Sequence, residues 1–255
     1  MSSQELESIE PVGVDGTASS MWDDYWRKIL TNPETQFWRT GSAESSCAVA
    51  AYLKTQLSRL FPLRSSVRVL VPLCGDDPVS VHLFRMGHSI LAVDINSDCL
   101  ALLRDAVAPD PDSWNLTQLT HFKLWQLRKC HDGPQFTVLQ GSIFDLADPE
   151  LAVAAGNMNF DVLYDRAAFG AILPRTRAQY GKLMRSLLNE SALIYLEAKF
   201  GTGENAETAG PPYHVSQSCL QSAFHLEFTL LDPLYNKKTD QPDRRDQFWQ
   251  VEIEL

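Results

Sequence analysis

The sequence predicts one α/β domain, with a mainly parallel sheet and helices on both faces. Three observations predict it. From Val67 onward, β-branched runs alternate with helical periodicities, as repeated βα units require. The junctions carry matching punctuation, above all Pro72-Leu-Cys-Gly75 and Asp77-Pro78. Length and composition agree: 255 residues, 44% hydrophobic and 21% charged, supply a sizeable core for one large domain.

Met1–Ser20, rich in Ser, Glu and Gly and without apolar periodicity, is expected to be a disordered tail, leaving the domain at 21–255. Trp22, Tyr25, Trp26 and Ile29 fall on one face of a short helix. Val49, Leu53, Leu57 and Leu60 mark a second, with Ser42 or Ser45 as its cap. Val67–Val71 is the first strand, and Asp77-Pro78 sets an N-cap before a proline at the first helical position. That helix should stop near Gly87. Ser89–Ile95 is the second strand, and Asn96 or Ser97 caps a helix through Leu100, Leu103 and Val107. Pro109–Pro134 is a long polar excursion that receives no element. Phe136–Leu139, Asp161–Tyr164 and Leu193–Leu196 read as three more strands, with a helix through Tyr180, Leu183, Met184 and Leu187 before the last. His225–Tyr235 and Gln247–Leu255 read as two strands joined without a crossover helix, hence an antiparallel pair.

Charge and cysteine usage narrow the function. Lys plus Arg is 22 against Asp plus Glu at 32, a net charge of −10, which argues against a nucleic-acid partner. No apolar run approaches the ~20 residues that span a bilayer, and the start has neither a basic end nor a hydrophobic stretch. Five scattered cysteines without a C-x-x-C spacing indicate neither a disulfide framework nor a zinc site. The expectation is a soluble, acidic, cytoplasmic monomer with no membrane partner and no metal.

In a doubly wound sheet, ligands sit beyond the carboxyl ends of the strands, at a topological switch point. That places the chemistry near Leu73–Gly75, Asp94, Gly141–Ile143 and Asp165-Arg166. The first loop is PLCGDD, not a G-x-G-x-x-G fingerprint, and only Gly75 allows an unusually close backbone approach. Asp94 follows Gly75 by 19 residues, where a ribose-holding carboxylate belongs. On spacing alone it reads equally as an acid flanking the next helix. Ser142 and the Ile143 backbone could meet a purine edge, or Gly141–Leu146 could be a turn with Asp145 capping a short helix. Asp165-Arg166 ends a strand in two opposite charges, which either serve a ligand or pair in solvent. Cys74 lacks an identifiable base, so its backbone is the better contributor.

Five segments, in the same order, resemble the thiopurine S-methyltransferase family: VLVPLCG at 69–75, GHSILAVDI at 87–95, GSIFDL at 141–146, FDVLYDRAAFGAI at 160–172 and GPPYHV at 210–215. The wider superfamily includes plant halide and thiol methyltransferases. The resemblance implies a class I methyltransferase, a Rossmann-like fold with a seven-stranded sheet whose last strand is reversed, and S-adenosyl-L-methionine as cofactor. It implies that Leu73 and Gly75 touch the cofactor, that Asp94 holds its ribose, and that Ser142 and Ile143 contact adenine. Arg166 would lie near the methionine end and the acceptor, with Asp165 orienting it or meeting a water. Trp22, Trp26 and Phe37 match the aromatic segment, here 21–41, that covers the cofactor. Phe37-Trp38 puts two aromatics where relatives have one, so these two are the expected acceptor contacts and the acceptor pocket should differ. An aromatic face near the sulfonium would contribute ~0.5–2 kcal/mol.

The expected activity is methyl transfer to a thiol or other soft nucleophile of a small molecule, with Arg166 holding the charge of a thiolate. Halide, bisulfide, metalloid or amine acceptors are the alternatives within that chemistry. A non-catalytic binding module with the same fold is the alternative outside it, and a nicotinamide-dependent oxidoreductase is disfavoured by the missing glycine fingerprint.

Overall fold

The computed structural model describes residues 17–31, 50–51, 53–59, 66–128, 133–156, 158–200, 212–225, 229–230, 235–238 and 245–254. Residues 1–16 lie outside that set, as do Phe37, Trp38, Cys130, His131 and Arg244. Helix α1 (Thr17–Thr31) begins inside the stretch assigned to the tail. Thr17, Ala18, Ser19 and Ser20 lengthen the backbone helix without showing an apolar face, so periodicity could not reveal them. Residues 53–59 are also helical and bury Leu53 and Leu57, as their spacing requires.

Next come β1 (Arg68–Pro72), α2 (Pro78–Arg85), β2 (Ser89–Asp94) and α3 (Ser97–Val107), in the expected order. The Asp77 carboxylate accepts the Val79 N–H at 3.0 Å and caps α2. Gly87 leaves that helix at φ 98°. Asn96, not Ser97, caps α3: its side-chain oxygen accepts the N–H groups of Asp98 and Cys99, both at 3.0 Å. The polar excursion holds an antiparallel hairpin, β3 (Trp114–Gln118) and β4 (Lys123–Leu127). Then follow β5 (Phe136–Gln140), α4 (Pro149–Ala155), β6 (Phe160–Arg166), α5 (Ala168–Ala171), α6 (Arg177–Ser186) and β7 (Leu188–Phe200). Helix α7 (Gln217–Phe224) precedes β8 (Thr229–Leu230), β9 (Tyr235–Lys238) and β10 (Arg245–Glu254).

The strands join in one sheet of order β3-β4-β5-β2-β1-β6-β7-β10-β8, with β9 on β10. Seven of them, β5 to β8 along that order, are the expected frame. β5, β2, β1, β6 and β7 are parallel, and β10 runs antiparallel to both β7 and β8. The hairpin extends the sheet beyond β5, pairing Leu124 with Leu139. No helix among the described residues is long and apolar enough to cross a membrane.

Alternation along the buried strands builds two cores, one per face. Val69, Val71, Tyr164 and Tyr195 face one layer with α2, α3, Trp26, Leu53 and Leu57. Leu70, Leu163, Ile194 and Leu196 face the other, with Phe169, Tyr180, Met184, Leu220 and Phe224. In that second layer α6 and α7 touch at Gly181, where an added Cβ would fall within forbidden distance of the Ala223 backbone carbonyl. Backbone cannot swing aside as a flexible side chain can. Gly181→Ala is therefore expected to cost about 1–3 kcal/mol by overpacking. Urea unfolding checks it, and an unchanged midpoint would mean that the two helices part without penalty.

Candidate active site

The site is built where β1, β2 and β5 end. Beyond β1 the chain turns sharply, with Leu73 at φ 44° and Gly75 at φ 52°. For leucine this left-handed conformation costs on the order of 1–3 kcal/mol, so the surroundings must hold it. They do: the Cys74 N–H donates to the Val93 carbonyl at 2.9 Å, and the Gly75 N–H to Asp94 Oδ2 at 2.9 Å. The other oxygen, Asp94 Oδ1, accepts the Asn96 N–H at 3.0 Å. Glycine is required at 75 for a second reason, since a Cβ there would lie 2.9 Å from Trp26 Cζ2.

Trp22, Leu73, Asp94, Ser142 and Ile143, all expected in the site, line one cleft together with Ala171 and Ile172. Counted to its open mouth, the cleft holds about 480 Å³ of empty space. Helix α1 is pinned over it by Asn96 Nδ2, which donates to Asp23 Oδ1 at 2.8 Å. Ser142 caps the short 3-10 turn Ile143–Asp145, its Oγ accepting the Phe144 N–H at 3.2 Å. The capping residue is thus Ser142 rather than Asp145. A hydroxyl that accepts this bond still has its own proton to donate. Burial holds the Asp94 carboxyl above the usual range, against the backbone N–H groups of Asn96, Gly75 and Ile95 that favour its charge. Each of its oxygens keeps further accepting capacity. A carboxylate, a hydroxyl and two apolar side chains around one cleft fit a nucleoside. Burial, with Asp94 and Asp77 nearby, pushes the Cys74 thiol well up, so it is no nucleophile at neutral pH.

Trp26 and Gly75 do not line the cleft. Trp26 is 7% exposed and packs behind Gly75, where it props the turn from the core side. Phe37 and Trp38 lie outside the described residues.

The carboxyl ends of β6 and β7 correct a second expectation. Side chains alternate along a strand, so Asp165 and Arg166 point to opposite faces. Asp165 is enclosed in the layer of α6, where Oδ2 accepts the Tyr180 hydroxyl at 2.6 Å and Oδ1 the Phe169 N–H at 3.1 Å. It neither orients Arg166 nor meets solvent. Burial raises its pKa to about 6. Arg166 lies on the other face, with Nη1 3.1 Å from Asp77 Oδ1 and Nε 3.6 Å from Glu197 Oε2. Its charge is therefore already met by two carboxylates.

Sequence reading missed Asp77 and Glu197 as site residues. Asp77 was legible only as a helix cap. Glu197 interrupts the apolar run Ala192-Leu-Ile-Tyr-Leu-Glu-Ala198, and a charge inside a buried strand is a usable signal. Its partner, however, is set by register: Arg166 lies opposite Glu197 across the parallel β6–β7 pair.

Comparison with known proteins agrees with this architecture. The family model described as thiopurine S-methyltransferase matches residues 21–253. The thiopurine S-methyltransferase of Pseudomonas fluorescens (strain SBW25) is 27% identical over 205 residues, covering 77% of this chain and 84% of that protein. The rabbit (Oryctolagus cuniculus) thiopurine S-methyltransferase is 26% identical over 200 residues, covering 78% and 76%. Two solved structures share the fold. The magnesium protoporphyrin IX methyltransferase of Synechocystis PCC 6803 with bound S-adenosylhomocysteine has a TM-score of 0.56 at 13% identity, covering 92% of this chain and 95% of its own. The Burkholderia thailandensis 1,6-didemethyltoxoflavin-N1-methyltransferase has a TM-score of 0.55 at 13% identity, covering 98% and 97%. The chain belongs to the thiopurine S-methyltransferase family and is an S-adenosylmethionine-dependent methyltransferase.

Proposed function

We propose that this enzyme methylates a thiol, or a comparably soft nucleophile, on a small molecule. The observation that carries the reading is the convergence of Leu73, Asp94, Ser142 and Ile143 on one cleft, in a chain matched by the family model over 21–253. In this reading Asp94 accepts the ribose hydroxyls of the cofactor, Ser142 and the Ile143 backbone meet the adenine edge, and Leu73 packs on its face. Trp22, held by α1, shields the cleft from water. The cofactor supplies a methyl group already activated on a sulfonium. What the protein must add is orientation and exclusion of water, which supply most of the catalysis such a transfer needs. A soft sulfur nucleophile asks least of the surrounding side chains, since a thiol ionises near neutral pH.

The test is a product assay with methyl-labelled cofactor across small thiols, iodide and selenium compounds. Labelled thioethers are the expected product. Methyl iodide without any thioether would move the enzyme to halide chemistry, and cofactor binding without product from any acceptor would make the chain a binding module.

A further inference from the structure

We propose that Asp77, Glu197 and Tyr164, gathered round Arg166 at the carboxyl ends of β1, β6 and β7, form an ammonium subsite that selects a methyl acceptor bearing a positively charged amino group. The acceptor assignment rests on the reading above that the cleft over β1, β2 and β5 takes the cofactor. The neighbouring strand ends, β6 and β7, then fall to the acceptor. The loop Leu73–Asp77 joins the two halves, with Leu73 on the cleft and Asp77 on Arg166.

Charge is the first observation. Among the described residues, two carboxylates share one guanidinium: Asp77 at 3.1 Å and Glu197 at 3.6 Å. Their side chains are only 9% and 3% exposed, so water does little to screen the excess negative charge. Burial raises the Glu197 pKa, Arg166 opposes the rise and Asp77 adds to it, as expected where one cation serves two acids. The second observation is independent of charge. Among the described residues, Asp77 Oδ2 and the Tyr164 hydroxyl are enclosed and make no hydrogen bond, and Glu197 Oε2 has only its 3.6 Å ion pair with Arg166. Tyr164 is 0% exposed and lies two residues before Arg166 on β6, hence on the same face of the sheet. Buried polar atoms without partners are costly, and two in one cluster, beside a third oxygen held only by a long ion pair, are best explained by a group that arrives with donors. An alkylammonium brings three donors and the missing positive charge. An anion would bring neither and would meet the carboxylates first. Arg166, 17% exposed, is the most exposed of the three charged side chains and the point at which the cluster meets solvent.

The same ammonium chemistry exists at the amino-acid end of the cofactor, so the test separates the two sources. With the protein saturated in S-adenosylhomocysteine, binding of 2-aminoethanethiol and 3-mercaptopropionate is measured by calorimetry. The cationic thiol is expected to bind at least about tenfold tighter, and Glu197→Gln or Asp77→Asn to cut that preference below about threefold. Both substitutions keep shape, and asparagine still caps α2. Affinity for S-adenosylhomocysteine itself should change less than about threefold in both variants. If the loss falls instead on S-adenosylhomocysteine and spares its desamino analogue, the ammonium is the cofactor's and the acceptor assignment is overturned. No preference between the two thiols, with unchanged cofactor binding, overturns the subsite altogether. Because binding is read without turnover, a cationic thiol that binds selectively but is not methylated leaves the subsite standing and sinks the thiol-transfer reading.

Discussion

Asp94→Ala is expected to weaken S-adenosylhomocysteine binding about a hundredfold, the largest loss for one side chain in the cleft. The carboxylate has two tasks. It braces the turn after β1 by accepting the Gly75 and Asn96 N–H groups at 2.9 and 3.0 Å, and it lines the cleft with accepting capacity left on both oxygens. Two ribose hydroxyls donating to a charged acceptor contribute about 1.5 kcal/mol each at the low end, hence about 3 kcal/mol together, or a factor of about a hundred. Asp94→Asn, which keeps one accepting oxygen, should fall between. Calorimetry gives the affinities and urea unfolding the stability of the same variants. Loss of the brace alone would lower stability by about 1–2 kcal/mol and leave affinity nearly intact. A change in affinity below threefold would make Asp94 a structural residue only.

Where elements were legible in the sequence, the reason was local chemistry. Asp77-Pro78 and Asn96 announce helix starts through their own side chains: Asp77 caps as read, and of the two candidates Asn96 and Ser97 it is Asn96 that caps. The buried strands β1 and β2 are continuous apolar runs, because helices cover both of their faces. The β3–β4 hairpin escaped for the opposite reason. β3 buries Trp114 and exposes Asn115, Leu116, Thr117 and Gln118, so an edge strand on the rim of the sheet shows no alternation to find. Its place is fixed by tertiary contact instead: the Trp114 indole donates to the Ala108 carbonyl at 3.1 Å and meets the Phe136 ring edge-on.

The same division runs through the site. Leu73, Asp94, Ser142 and Ile143 each lie at or just beyond the carboxyl end of a strand, so strand ends placed them, and they do share one cleft. The relation among Asp165, Arg166, Asp77 and Glu197 depends on which face each side chain takes and on the register of β6 against β7. A one-residue error in face exchanges Asp165 for Glu197 as the partner of Arg166. That exchange also changes the chemistry: adjacency gave Arg166 one acid, whereas the structure gives it two.

Asp165 carries the last expected result: between pH about 4 and about 6, it alone should take about 3 kcal/mol from the stability of the fold as pH rises. The residue is fully enclosed, and burial lifts its pKa from 3.8 to about 6 in spite of the hydrogen bonds from Tyr180 and the Phe169 and Ala168 N–H groups. The sign follows from the proton. In the folded state Asp165 holds it more tightly than in the unfolded chain, so between the two values the folded state binds the extra proton and stability falls as pH rises. Below the lower value both states are protonated and no cost appears; above the upper one the whole cost is present. Asp165→Asn removes the titration while keeping the shape. Urea unfolding of both proteins across this range should show the native protein losing about 3 kcal/mol relative to the variant, with the difference levelling off above pH about 6.5. Tyr180→Phe should move the window upward, because the 2.6 Å bond from its hydroxyl favours the charged form. Parallel pH profiles for the native protein and Asp165→Asn would mean that this carboxyl titrates alike in both states. The buried Tyr180–Asp165 pair would then be an ordinary hydrogen bond with no hold on the pH dependence of the fold.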